Sequence, residues 1–163
     1  NGAVISQITD YEEWDDAELG RIGAWCYYNN NSSNGATYGK LYNWYTVDSP
    51  NELAPEGYHI PSAEEWDTLI NYLDGTPVAG EKMKNWDGAS NISGFTGLPG
   101  GARNYGGTFN SIGSFGFWWS TDAINYGTSY EQVKTYYLRS DYDDAPSSYM
   151  PSVWGHSVRL IKD

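Results

Sequence analysis

Cysteine is nearly missing from this chain of 163 residues: Cys26 is the only one. A lone thiol makes no internal disulfide, so stability has to come from packing. Flanked by Trp25 and Tyr27, Cys26 reads as a small buried apolar residue. Basic residues are scarce as well. Nine Lys and Arg stand against 21 Asp and Glu, a net charge of −12, which is the wrong balance for gripping nucleic-acid phosphates. No apolar run approaches the roughly 18 residues that cross a bilayer. Neither nucleic-acid binding nor membrane insertion is therefore expected. The chain opens at Asn1 without Met and without a signal-like apolar stretch, and reads as a processed product or an excised piece. What is abundant is aromatic: 15 Tyr, 8 Trp and 4 Phe, with 19 Gly. That load is too high for a disordered acidic chain. The length fits one domain over residues 1–163, and the question is which rings build core and which build surface.

Capping and periodicity locate the clearest element. Ser62-Ala63-Glu64-Glu65 has capping-box spacing, and Trp66, Leu69, Ile70 and Leu73 follow at helical intervals before Gly75. This predicts a helix over 62–74. A second helix is expected over 10–18, capped by Asp10, with Trp14 and Ala17 inward. The stretch 37–47 fits both periods and is read as helix. Residues 29–35 (NNNSSNG) read as a solvated loop. Beyond residue 88, Gly, Ser, Asn and Thr punctuate short aromatic runs at 95–98, 115–119, 133–139 and 157–161, which read as strands. Along 133–139, Val133, Thr135 and Tyr137 share one face and Lys134, Tyr136 and Leu138 the other. Helices first and strands later make α+β the expected class, with two or three helices and short, mostly antiparallel strands.

Five segments then carry a resemblance: YGKLYNWYTV (38–47), LAPEGYHIPSAEEWDTLINYLDG (53–75), SGFTGLPGGARNYGGTF (93–109), GFWWSTD (116–122) and GHSVRLIKD (155–163). Together and in order, over most of 24–163, they resemble the Fibrobacter succinogenes major paralogous domain. Tyr58 stands where that family usually has Trp, and Leu160 where it usually has Cys. The resemblance implies that the Cys26 region would have faced that missing Cys. It also implies a C-type-lectin-like fold related to formylglycine-generating, sulfatase-modifying domains. Nothing in 1–23 matches the family's usual opening strand, so the opening strands are expected to be missing or supplied by another chain. Arg103, in the Leu-Pro-Gly-Gly-Ala-Arg segment, is expected to sit in a buried or half-buried ion pair.

Function is read from what the late, loop-rich part carries. The candidate ligand surface lies in 122–154: Asn125, Tyr126, Tyr130, Tyr136 and Tyr137, then Asp141, Tyr142, Asp143, Tyr149 and Trp154. Tyr offers broad contact area with few torsions to freeze, and Ser, Gly and Asn add adaptable polar contacts. The resemblance implies that the late region bears the ligand surface, and the Tyr/Ser/Asp/Asn bias is similar to the diversified surfaces of phage and bacterial variable proteins of that fold. The expectation is a noncatalytic recognition or adhesion module on an extracellular, cell or virion surface, binding a glycan or a protein. The alternative is a decoration or assembly subunit whose partners are neighbouring subunits. Early, motif-bound rings should lie inside and late tyrosines outside.

Catalysis is not expected. Formylglycine generation, as the resemblance implies it, needs a pair of cysteines binding copper, and there is one cysteine. His59 reads as a positional, hydrogen-bonded residue, and no Gly-x-Ser-x-Gly elbow occurs. The carboxylate pairs Glu64/Glu65 and Asp15/Asp16 fall on expected solvent faces. No cofactor is needed. Calcium is a weaker option, through Asp141, Asp143 and Asp144, whose oxygens suit a hard cation; Asn85-Trp86-Asp87 has the wrong order for the sugar-binding lectin signature.

Overall fold

The computed structural model describes residues 4–49, 53–124 and 131–163. Among them it is a mixed α+β fold with five α-helices, more than the two or three expected, and its first strands alternate with helices rather than following them. β1 (Ser6–Gln7), β2 (Ala24–Cys26) and β3 (Leu41–Tyr42) make one small sheet; β4 (Tyr58–His59) pairs with β10 (Ile161–Lys162) in another. The main sheet has the order β6-β5-β7-β8-β9, from β5 (Gly100–Arg103), β6 (Phe109–Ile112), β7 (Phe115–Ile124), β8 (Gln132–Arg139) and β9 (Ser147–Pro151). All pairings are antiparallel except β1–β2 and β5–β7.

The helices follow from their caps. α1 (Tyr11–Leu19) begins at Asp10, whose carboxylate accepts from the amides of Glu12 and Glu13, and it buries Trp14 and Ala17. α4 (Ala63–Tyr72) carries the expected capping box between Ser62 and Glu65 and buries Trp66 and Ile70. The 37–47 stretch is not one helix. It divides into the end of α2 (Ser32–Tyr38), then β3, then α3 (Trp44–Val47). α2 also corrects the reading of 29–35 as loop: Asn31 caps it through Ser33 N, and Asn34 Nδ2 donates to Tyr28 O. Local capping thus builds a helix that buries no side chain. α5 (Thr76–Met83) was not expected at all, because Pro77 and Gly80 depress its helical signal. Pro77 falls in the first turn, where its missing N–H costs nothing. Gly80 is required by tertiary contact: a Cβ there would lie 2.0 Å from Asp144 O.

β7 and β8 divide the core. Trp118, Tyr136 and Leu138 face α4 and α5, packing with Trp66, Ile70, Leu73, Ala79, Met83 and Phe95. Trp119 and Val133 face the other way, against Trp44. Adjacent tryptophans are thus both buried because successive strand residues alternate faces. A third cluster gathers Trp14, Ala24, Cys26, Tyr28, Leu41 and Val153. The register of β7 and β8 shifts between Trp119 and Ala123. That irregularity delivers Asp122 to the start of α4, where its carboxylate accepts from Ala63 N at 2.6 Å. Residues 95–98 form no strand; Gly97 makes a single bridge to Lys84. The terminal run is a strand only at Ile161–Lys162, with bridges from His156 to Tyr42 and from Ser157 to Trp118.

Arg103 corrects the ion-pair expectation. It is 1% exposed, and its guanidinium donates to three backbone carbonyls, Ile8 O, Thr9 O and Asp10 O. It also lies 4.3 Å over the Trp14 ring. Gly101 makes this approach of strands possible. Its φ is +67°, and a Cβ would meet Asn110 O at 2.5 Å.

Candidate recognition surface

The loop that follows β8 is held from beneath by a buried cation. Lys84, 2% exposed at the end of α5, points its ammonium at Tyr142 O (2.7 Å), Arg139 O (3.0 Å) and Ser140 O (3.4 Å). An ammonium removed from water is tolerated only where acceptors surround it. Here the loop backbone supplies them, so burying Lys84 and ordering the loop are one event. α5 adds two backbone bonds, Glu81 N to Asp143 O and Ala145 N to Thr76 O. Trp86 Nε1 donates to Ser140 Oγ at 3.1 Å. Across the loop, Arg139 pairs with Asp144 at 2.7 Å, and its guanidinium stacks 3.7 Å from the Tyr142 ring centre. The Arg139 guanidinium is held more firmly protonated, first by its bond to Asp144.

This frame leaves Tyr142 54% exposed, with Asp141 and Asp143 exposed beside it. Together with Asp144, Thr76 and Pro77 they line an open groove of about 560 Å³. One face of a tyrosine ring is backed by a cation, and carboxylates and a threonine line the same groove. Such a set can pack an apolar surface and accept hydrogen bonds from ligand hydroxyl or amino groups.

The remaining candidates divide. Asn125, Tyr126 and Tyr130 lie outside the described residues. Tyr136 is not at the surface: it is 3% exposed, stacks on Trp66 at 5.1 Å, and its hydroxyl lies 2.9 Å from Ala63 O and 2.7 Å from Asp67 Oδ1. Burial and then the Asp67 carboxylate push its ionisation well above the usual tyrosine range. Tyr137 is half-buried on the opposite face, against Phe115 and Phe117. Trp154 is half-buried between the Trp14 cluster and the Trp44–Trp119–Val133 cluster. Tyr149 is exposed on β9, opposite Lys134 of β8. Asp141, Asp143 and Asp144 do not converge on a cation position. Asp144 is paired with Arg139, the Lys84 ammonium lies 3.9 Å from Asp143, and no cluster of three metal-ligating side chains exists among the described residues. Thr76, Pro77 and Lys84 escaped the sequence reading. Gly75-Thr76-Pro77 carries a helix-start signal that marks the first two; nothing local marks Lys84.

Exposure also corrects the division of rings by position along the chain. Tyr11, Tyr58, Tyr72 and Tyr105 are early and exposed. The motif tryptophans Trp66, Trp118 and Trp119 are buried as expected.

A family model described as the Fibrobacter succinogenes major domain matches residues 1–162. The chain belongs to this family. Comparison with curated proteins and with solved structures returned no match. In this Fibrobacter succinogenes major domain, the recognisable segments do structural work. His59 bridges two carboxylates, with Nδ1 2.6 Å from Asp163 Oδ1 and Nε2 2.7 Å from Glu65 Oε1. Glu65 Oε2 meanwhile accepts from Ser62 N and Oγ. The bonds to Asp163 and then Glu65 hold the imidazole protonated to higher pH than usual. The amide and hydroxyl of Ser62, with His59, hold Glu65 below the usual carboxylate range. The arrangement ties β4 and the C-terminus to the cap of α4. His156 is the reverse case. It is fully buried between the rings of Phe117 (5.0 Å) and Trp119 (4.2 Å), has no hydrogen-bond partner on either ring nitrogen among the described residues, and burial pushes its pKa down to about 3. Cys26 is buried in the Trp14 cluster, and burial pushes its thiol up to about 11. Leu160 lines a groove beside Trp66 instead, so the two positions sit in different parts of the molecule.

Proposed function

We propose that the domain is a noncatalytic recognition module of an extracellular, cell or virion surface, built on a C-type-lectin-like frame related to formylglycine-generating domains. Its contact face is the loop bearing Asp141, Tyr142 and Asp143 together with Thr76 and Pro77 of the same groove, and its ligand is a glycan. The observation that carries this is the exposed Tyr142 ring, held in place by Arg139 and by the Lys84 ammonium under its own carbonyl. A preordered aromatic face costs little entropy on binding. It suits the apolar face of a sugar ring, whose hydroxyls can donate to the flanking carboxylates. Tyr149 on β9 extends the same late region.

The noncatalytic reading is supported by the engagement of both His59 nitrogens and by a single, inert thiol. A second reading, assembly with neighbouring subunits, draws on the outer edge of β9, which has no partner strand among the described residues.

The test is a glycan array run beside capture from the native surface, with wild type and Tyr142→Ala. Glycan binding by wild type, lost in the variant at an unchanged melting temperature, is expected. Capture of a protein but no glycan moves the ligand to the protein class. Binding that Tyr142→Ala leaves intact overturns the assigned face.

A further inference from the structure

A second groove lies away from that loop, between α4 and the chain's last residues. Pro61, Trp66, Leu69, Phe95, Leu160 and Ile161 give it apolar walls around about 220 Å³. Its floor is rigid. Trp66 is stacked on Tyr136 and set edge-on to Phe95 at 5.6 Å, and its indole N–H is already donated to Trp119 O. No polar group of the floor therefore asks for a partner.

Two charged residues stand at the rim, and they differ. Glu65 has both oxygens occupied by His59 and Ser62. Arg159 is exposed, lies 4.8 Å over the Phe95 ring, and makes no ion pair or hydrogen bond among the described residues. Of the nine basic residues, Arg21, Lys82, Lys84, Lys134 and Arg139 each approach a carboxylate, whereas Arg159, like Lys40 and Lys162, approaches none among the described residues. Its position over Phe95 keeps the guanidinium in the groove lining, with its N–H groups available for a carboxylate.

We propose that this groove binds a small amphiphilic carboxylate, its apolar ring or branched chain against Trp66, Leu69 and Leu160 and its single carboxylate on Arg159. Size agrees. An apolar cavity of roughly 150 Å³ takes one benzene ring, so the groove has room for a ring and a short arm. The site is separate from the Tyr142 face and does not rest on the glycan reading.

The experiment titrates 3-phenylpropionate into the protein and follows the methyl resonances of Leu69, Leu160 and Ile161, with 3-phenylpropanamide as the neutral control. Saturable shifts confined to the groove are expected, weakened about ten-fold or more with the amide and equally in Arg159→Gln, since a charge-assisted contact is lost in both. Arg159 is exposed, so the variant should melt with wild type. Tyr142→Ala should leave the titration unchanged, which separates failure here from failure of the recognition face. No saturable shift by about 10 mM, equal affinity for acid and amide, or shifts centred elsewhere each overturn the proposal.

Discussion

Arg103 and Lys84 anchor two distant regions with one device. Each is a fully buried cation whose donors reach the backbone carbonyls of another segment: Ile8 to Asp10 for Arg103, Arg139 to Tyr142 for Lys84. The outcomes differ. The segment under Arg103 leads into α1: Ile8 packs on the Trp14 cluster and Asp10 caps the helix that buries Trp14, so fixing its backbone seats a core helix. The loop over Lys84 turns Asp141, Tyr142 and Asp143 to water. A backbone held from inside can expose rigid side chains, and a recognition face requires that combination.

The largest expected break in this parallel is Arg103→Met. It leaves three carbonyls without their charged donor and should cost about 3 kcal/mol or more, read by urea unfolding, with the loss spread over the whole domain. Lys84→Met should cost less globally, about 2 kcal/mol. Its signature is local: amide exchange should accelerate in 139–145 and not around residues 8–10. If both variants loosen the same amides, the two regions are not independent.

The histidines give a further contrast. Folded His156 has its pKa depressed from 6.5 to about 3. Below pH 6.5 the unfolded chain takes up a proton that the folded chain refuses. Its contribution to stability is therefore lost as pH falls from 6.5 towards 3, at about 1.4 kcal/mol per pH unit. His156→Phe should flatten that part of the pH–stability curve. His59 has the opposite sign, because its folded pKa is raised by Asp163 and Glu65. Its contribution is full below pH 6.5 and fades as pH rises through the raised value. His59→Gln should therefore matter most in mild acid, by a small amount, since the group is exposed. The smallest stability effect belongs to Tyr142→Ala, within about 0.5 kcal/mol as for an exposed residue, although it removes the proposed contact.

How much of this was legible beforehand follows the range of the interactions. α1 and α4 were visible because capping and apolar spacing lie within a few residues of each other. α2 was not, since Asn, Ser and Gly disfavour helix on average and Asn31 overrides that average through one hydrogen bond. α5 was hidden by Gly80, whose need arises from Asp144, far along the chain. In the candidate site, Tyr142 lies within a Tyr-rich run, but so does Tyr136, and composition does not separate the two. Strand alternation allowed Tyr136 either face, and only the position of α4 decides that it packs on Trp66. Lys84 gives no sequence sign, because its role is defined by carbonyls more than 50 residues away.

Lys84→Met tests the central claim most directly. Residue 84 is buried under the loop, so a ligand on Tyr142 need not touch it. With the glycan or surface fraction that wild type captures, and at a temperature where both proteins are folded, the variant should lose binding as fully as Tyr142→Ala does. Affinity unchanged in Lys84→Met, with the loop amides demonstrably freed, would contradict the account.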